Sequence, residues 1–333
     1  MHVHLENTTS KPRPFWLTPE LIDAACSSNP ALPDDVQFTV NSDLHDIAGS
    51  LSTATALVTS SGVICDPRFP RHDLAAVAPD LQFIHLIDAG VEDVMPLNWL
   101  PPNVQLVNNS GVHVEKAREF AIMSLLALNA RLPEIMCNQR QANWDQVFTP
   151  LIRGKSLLVV GLGDMGQAAV AAGRTLGMRI SGVRRSGMNV PGVERVYLPG
   201  QLHEAIRFSD FIVIAIPLTS DTRNLINRSV LEAAKPTAGL LNIGRADVLD
   251  HGALVELLKN GHLGGAILDV LPHEPLPSSS ELWSCPNLMI SPHVGADDPT
   301  TYMTETMRLL FANLERHLAG RPLQNVVDPV SEY

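Results

Sequence analysis

Short runs of aliphatic and β-branched residues alternate along most of the chain with longer stretches whose apolar positions recur every three or four residues. A parallel sheet covered by crossover helices leaves this signature, because its strands are buried on both faces and its helices on one. The expected class is therefore α/β. In the first third, Ala56-Leu57-Val58-Thr59, Phe83-Ile84-His85-Leu86-Ile87 and Val104-Gln105-Leu106-Val107 read as strands of a small sheet, with segments such as Asp73 to Ala78 suited to helices between them. From Glu115 to Leu132 the positions Ala117, Phe120, Ala121, Ser124, Leu125, Leu128 and Leu132 keep helical spacing until Pro133. That spacing predicts a long helix bridging two lobes.

A second series starts after the polar segment Asn138 to Gly154. Its strand-like runs are Ser156 to Val160, Arg179 to Val183, Phe211 to Ile216, Gly239 to Ile243, Gly265 to Leu268 and Leu288 to Ile290, enough for a complete doubly wound nucleotide-binding sheet. Thr300 to Leu318 reads as a last helix, with Met303, Met307, Leu310, Phe311 and Leu314 on one face. No strand follows it, so it is expected to return to the first lobe.

Composition narrows the reading. Of 333 residues, 45% are hydrophobic and 18% charged, which excludes a disordered tail, a coiled coil or a fibre and describes a soluble globular chain of about two domains. Lys and Arg total 24 against 35 Asp and Glu, a formal charge of −11, so neither nucleic acid nor an anionic membrane is expected as a partner. The four cysteines, Cys26, Cys65, Cys137 and Cys285, show no metal-ligand spacing and read as reduced core thiols; no metal is expected. The polar amino terminus, Met1-His2-Val3-His4-Leu5-Glu6, lacks a secretory hydrophobic region, and runs such as Phe120 to Ala127 fall well short of the ~20 residues that cross a bilayer. A cytoplasmic location is the expectation.

The first candidate chemistry is Gly161-Leu162-Gly163-Asp164-Met165-Gly166, a G-x-G-x-x-G set between a strand and an Ala-rich helix. Gly161 suits a tight turn, Gly163 the close approach of a pyrophosphate, and Gly166 the packing of helix on strand, while the helix start offers N–H groups to phosphate. The end of the next strand usually carries an acid for the adenosine ribose, ~20 residues past the fingerprint. Here it carries Arg184-Arg185-Ser186, two guanidiniums and a hydroxyl that favour a ribose 2′-phosphate, hence NADP over NAD; the alternative is a solvated basic turn.

Three later segments each follow a strand: Asn242-Ile243-Gly244-Arg245, Asp269 through Glu274-Pro275-Leu276, and Pro292-His293-Val294-Gly295. Ligands of open parallel sheets bind at that edge, so Arg245, Asp269, Glu274 and His293 can converge on a nicotinamide. An Arg binds a carboxylate, a His exchanges a hydroxyl proton, and a Glu beside it orients the ring, the parts a 2-hydroxy acid dehydrogenase needs. Read singly, Arg245 is equally a surface residue pairing with Asp247 or Asp250, and His293 is one of twelve histidines.

In the order of these motifs, with Pro217-Leu218-Thr219 between the fingerprint and Asn242, the chain from Leu57 to Leu318 resembles the D-isomer-specific 2-hydroxyacid dehydrogenases. The resemblance implies two Rossmann-like domains with doubly wound parallel sheets: a smaller discontinuous substrate domain, residues 1–110 and 298–333, and a dinucleotide-binding domain, residues 111–297. It implies that Arg245 binds the substrate carboxylate and carbonyl oxygen, that His293 is the acid/base and that Glu274 is its partner. Asp269 would contact the nicotinamide carboxamide, and the segment from Pro217 through Thr222, with Ile243 and Gly244, would line the nucleotide. Ala89 and Gly90, in Ile87-Asp88-Ala89-Gly90-Val91, match the loop whose N–H groups grip the carboxylate; on local sequence that segment is equally a strand-to-helix turn.

Two positions depart from the family pattern. Arg184 replaces the usual Asp, which turns the expected cofactor to NADP(H) with NAD(H) as the lesser option, and Ala246 replaces a glycine, a change tolerated if its φ is negative. Glu274 argues against formate dehydrogenases, where a Gln is typical, and no added regulatory domain is expected after Tyr333. The resemblance also implies a cleft that closes over substrate, and a homodimer to which the helix Glu115 to Leu132 contributes. The expected activity is NADPH-dependent reduction of a small 2-oxo acid, glyoxylate or hydroxypyruvate in type, to the D-2-hydroxy acid. A D-lactate-type or phosphite dehydrogenase is the enzymatic alternative, and a dinucleotide-sensing corepressor-like protein the non-enzymatic one. Trp144 and Tyr302 are each open to lining the pocket or to burial.

Overall fold

The apolar runs pair in register, all in parallel, and they do so in two separate sheets. The computed structural model describes residues 1–29 and 35–333. Among them, two units separate: Met1–Val112 with Asp298–Tyr333, and His113–Asp297.

The first unit holds β1 (His2–Asn7), β2 (Gln37–Ser42), β3 (Ala56–Thr59), β4 (Phe83–Leu86) and β5 (Gln105–Val107), ordered β2-β1-β3-β4-β5. Alternating side chains bury both faces: Leu57, Ile84 and Leu106 in one cluster, Val58, Phe83 and Val107 in the other. The helix Tyr302–Leu318 packs Met307, Leu310, Phe311 and Leu314 into the second cluster, so the end of the chain closes the core of its beginning.

Three strands are absent from the sequence reading. The polar amino terminus is β1, a central strand, and its polar face is buried because its side chains satisfy one another. His4 Nε2 lies 3.0 Å from Glu6 Oε2, His4 Nδ1 lies 2.8 Å from Thr39 Oγ1, and Glu6 Oε1 accepts the Leu44 N–H at 2.7 Å. Nothing in His-Val-His-Leu-Glu-Asn announces the two outside partners, since Thr39 and Leu44 lie more than thirty residues along. The adjoining β2 is also new, as is the short β8 of the second unit.

The second unit holds β6 (Ser156–Val160), β7 (Arg179–Val183), β8 (Arg195–Tyr197), β9 (Phe211–Ile214), β10 (Gly239–Asn242), β11 (Gly265–Leu268) and β12 (Leu288–Ile290). Their order, β12-β11-β10-β9-β6-β7-β8, reverses direction between β6 and β9, the switch point at which doubly wound sheets bind ligands. Leu158, Ile212 and Leu240 bury one face; Leu157, Val213 and Leu241 bury the other.

The expected bridging helix ends sooner, at Val114–Asn129, and Arg131 turns the chain with φ 53°. Pro133 then sits in the first turn of a second helix, Leu132–Arg140, where a missing N–H leaves no hydrogen bond unmade. The proline thus starts a helix as well as stopping one, and the segment read as polar loop begins helical. No single helix among the described residues is long and apolar enough to cross a membrane; this pair passes only jointly and is bent by 65°. The cysteines are free, yet Cys285 alone is buried; Cys26 and Cys65 are exposed and Cys137 is intermediate, which corrects their reading as core thiols.

Candidate active site

One line of register gathers the candidate residues of the second unit. Val183 lies opposite Val160, Val160 opposite Ile214, Ile214 opposite Asn242, Asn242 opposite Leu268 and Leu268 opposite Ile290. Each strand therefore ends level with its neighbours, and the residues that follow, Arg184, Gly161, Pro217, Arg245, Asp269 and His293, leave from the same carboxyl edge.

The fingerprint turns tightly because Gly161 has φ 94°, and a Cβ there would stand 2.5 Å from the Ala215 carbonyl oxygen. A Cβ on Gly166 would stand 1.9 Å from the Gly161 oxygen, so only glycine lets the helix Asp164–Thr175 pack this closely. At Gly163 a Cβ would meet nothing within 4 Å, which leaves open space before a helix start that no side chain caps. Free N–H groups facing open space fit a pyrophosphate. The side chains of Leu162 and Met165 pack into the core, Leu162 against Gly182, so these two residues present backbone to a ligand.

Arg184 leaves β7 with its N–H donated to the Tyr197 carbonyl at 3.1 Å, while Arg185 and Ser186 are exposed. The unread β8 thus anchors the basic turn. In the loop after β9, the Thr222 hydroxyl donates to the Pro217 carbonyl at 2.7 Å and accepts the Thr219 N–H at 2.8 Å, closing the turn on itself.

After β10, the buried Asn242 shapes the next loop: its Oδ1 accepts the Gly244 N–H at 3.0 Å and its Nδ2 donates to the Arg245 carbonyl at 3.1 Å. Asn242 is absent from the sequence-derived site, although its place in Asn242-Ile243-Gly244-Arg245 carried the signal. Arg245 donates to the Gly244 carbonyl at 2.9 Å, whereas Asp247 pairs with Arg223 and Asp250 caps the helix His251–Lys259. Ala246 is not among the residues of positive φ, the condition set for its tolerance.

His293 Nδ1 and Glu274 Oε2 are 2.7 Å apart, both partly exposed, and Glu274 Oε1 also accepts the Leu271 N–H at 2.9 Å. The carboxylate is therefore fixed before it orients the imidazole. His293 has φ 57°, a left-handed conformation that costs a non-glycine residue about 1–2 kcal/mol. Asp269, 3% exposed, turns its carboxylate to the loop that carries His293, accepting the Val294 and Gly295 N–H groups.

In the first unit, the Ile87 carbonyl accepts from Tyr302 and Asn109, and the Ala89 carbonyl from Asn108, which fixes the backbone around Ala89 and Gly90. Asp88 accepts the Ser61 N–H at 2.7 Å and pairs with Lys11 at 2.5 Å, a contact between segments far apart in sequence that the sequence reading missed. Tyr302 is buried here, and Trp144 is 91% exposed.

A glycine fingerprint and an imidazole–carboxylate pair on one edge of a doubly wound sheet define a nicotinamide-dependent oxidoreductase. Residues 122–295 match the family model described as D-isomer specific 2-hydroxyacid dehydrogenase, NAD binding domain. The chain belongs to this family, and it is an NAD(P)-dependent enzyme. A hydroxyphenylpyruvate reductase of Plectranthus scutellarioides is 32% identical over 254 residues, 75% of this chain and 80% of its own. A glyoxylate reductase of Aeropyrum pernix is 31% identical over 265 residues, 77% of this chain and 79% of its own. The crystal structure of a D-isomer specific 2-hydroxyacid dehydrogenase family protein from Aeromonas salmonicida superposes with a TM-score of 0.80 at 27% identity, covering 98% of this chain and 99% of that one.

Proposed function

We propose that this enzyme reduces a small 2-oxo acid, glyoxylate or hydroxypyruvate in type, to the D-2-hydroxy acid with NADPH, in the cytoplasm. The observation that carries the reading is the His293–Glu274 pair at 2.7 Å on the edge that also bears the fingerprint and Arg245. The glyoxylate reductase of Aeropyrum pernix supports the substrate class.

The start of the helix Asp164–Thr175 would hold the pyrophosphate, and Arg184, Arg185 and Ser186 would hold the ribose 2′-phosphate. When bound, the nicotinamide supplies the hydride that goes to the substrate carbonyl carbon. The rest is the work of the chain. Arg245 offers a planar fork of donors to the carboxylate. His293 gives its Nδ1 to Glu274, which leaves Nε2 to donate the proton to the carbonyl oxygen. Glu274, held by the Leu271 N–H, stabilises the imidazolium until that proton leaves.

The direct test follows NADPH and NADH oxidation by the purified protein against glyoxylate, hydroxypyruvate, pyruvate and phenylpyruvate. Turnover of a small acid with NADPH supports the reading. Cofactor binding without any turnover would replace it with a sensor. Arg184→Asp is expected to lower kcat/KM for NADPH ~10²-fold, since a charged hydrogen bond of about 1.5–3 kcal/mol gives way to repulsion, and to change that for NADH far less. Equal effects on the two cofactors would reduce the basic turn to a solvated one.

The second unit also exposes Met123, Leu126, Ile135, Met136, Trp144 and Phe148, the last two 91% and 86% exposed. Exposed apolar side chains on neighbouring segments fit a self-complementary interface, and a homodimer is proposed. Sedimentation equilibrium should find a dimer that Trp144→Asp with Phe148→Asp converts to monomer; a monomeric parent protein would exclude it.

A further inference from the structure

We propose that Asp269 is a positioning residue: it holds His293 in its left-handed backbone by gripping the two peptide N–H groups that follow. The role rests on the proposed part of His293 as proton donor. Asp269 Oδ1 accepts the Val294 N–H and the Gly295 N–H, both at 3.1 Å, and Oδ2 accepts the Gly295 N–H at 3.0 Å. The carboxylate is 3% exposed and leaves β11 directly, with its own N–H donated to the Asn242 carbonyl at 3.1 Å. It is thus tied to the sheet edge one residue past the end of β11.

The loop it holds is strained at one point. His293, with φ 57°, stands between Pro292 and Val294, and a bend of this kind persists only where the surroundings over-determine it. Glu274 fixes the imidazole from one side, but a side-chain contact alone does not set the backbone from which the ring projects. The Asp269 bonds do, because they fix the peptide planes that follow the bend. Gly295 completes the arrangement: a Cβ there would stand 2.7 Å from Asp269 Oδ2 and 2.8 Å from the Phe120 ring, so the loop closes on the carboxylate only with glycine. Two N–H groups thus make three contacts with the carboxylate, the Gly295 N–H being shared between both oxygens. Asp269 therefore serves the acid whether or not it also touches the cofactor.

The test is a double-mutant cycle of Asp269→Ala with His293→Asn, asparagine being at ease in the left-handed region. In the parent protein, Asp269→Ala is expected to lower kcat ~10²-fold, the scale of a 1 Å misplacement, with the NADPH Kd, read by fluorescence titration, within about threefold. In the His293→Asn background the same change should lower the residual rate less than about threefold, because the group it positions is gone. Asp269→Asn retains Oδ1 for two of the three contacts but sets its Nδ2 donor against the Gly295 N–H, and should recover only part of the loss. Gly295→Ala, which forces the same contact apart from the other side, should reproduce the kcat loss and serves as the readout if Asp269→Ala does not fold. The His293 ring resonance is expected to be single in the parent protein and to broaden or split in Asp269→Ala and Gly295→Ala. Equal losses in both backgrounds, or a weakened NADPH Kd with kcat kept at saturation, would overturn the positioning role alone. Full turnover in His293→Asn would overturn the proposed acid itself, and this role with it.

Discussion

His293→Ala is expected to lower kcat ~10²–10⁴-fold, the range a positioned general acid supplies, while the protein stays folded and binds NADPH as before. The imidazole is fixed from two directions, by Glu274 on Nδ1 and by the Asp269-held backbone that follows it. Its loss removes a proton donor, and water in its place is not aligned. The side chain is partly exposed and buries little apolar area, so stability should change by less than about 1 kcal/mol, within the ordinary range for surface positions. Stopped-flow measurement at saturating substrate and cofactor reads the chemical step. A folded His293→Ala protein with parental turnover would exclude the mechanism.

The second large effect is expected at Arg245. Arg245→Ala should lower kcat/KM for a 2-oxo acid ~10²–10⁴-fold, since a bidentate pair comprises two charged hydrogen bonds of about 1.5–3 kcal/mol each. Both KM and kcat should suffer, because the carboxylate is the handle by which the carbonyl is aligned. Arg245→Lys keeps the charge but not the planar fork and should recover only part of the loss. A control separates binding of the acid from general damage: glyoxal, which lacks the carboxylate, should be reduced at nearly the same low rate by parent and variant. If Arg245→Ala depressed both substrates equally, the residue would support the loop, whose Gly244 carbonyl it already touches, and not the substrate.

Most of the second unit was legible because its signals are local. Strand, Gly161 to Gly166 and helix are contiguous, and each of Arg245, Asp269 and His293 lies within three residues of a strand end, so counting along the chain places them on one edge. The short β8 escaped because an edge strand of three residues carries too little apolar pattern to stand out. Pro133 was read as a terminator because the sequence shows that it cannot continue a helix. It does not show whether the chain bends into another.

The sequence by itself determined the class of fold, the place of the glycine fingerprint, the basic turn at Arg184 and the position of Arg245, Asp269 and His293 just past strand ends. These follow from periodicity and from glycine and charge at fixed short spacings. Only the tertiary structure decided that the polar amino terminus is a buried central strand. Only it turned Asp269 onto the backbone behind His293. The reason is physical: a polar side chain is buried only where its hydrogen-bonding partners are supplied, and His4, Glu6 and Asp269 each need a partner from a segment 25 or more residues away.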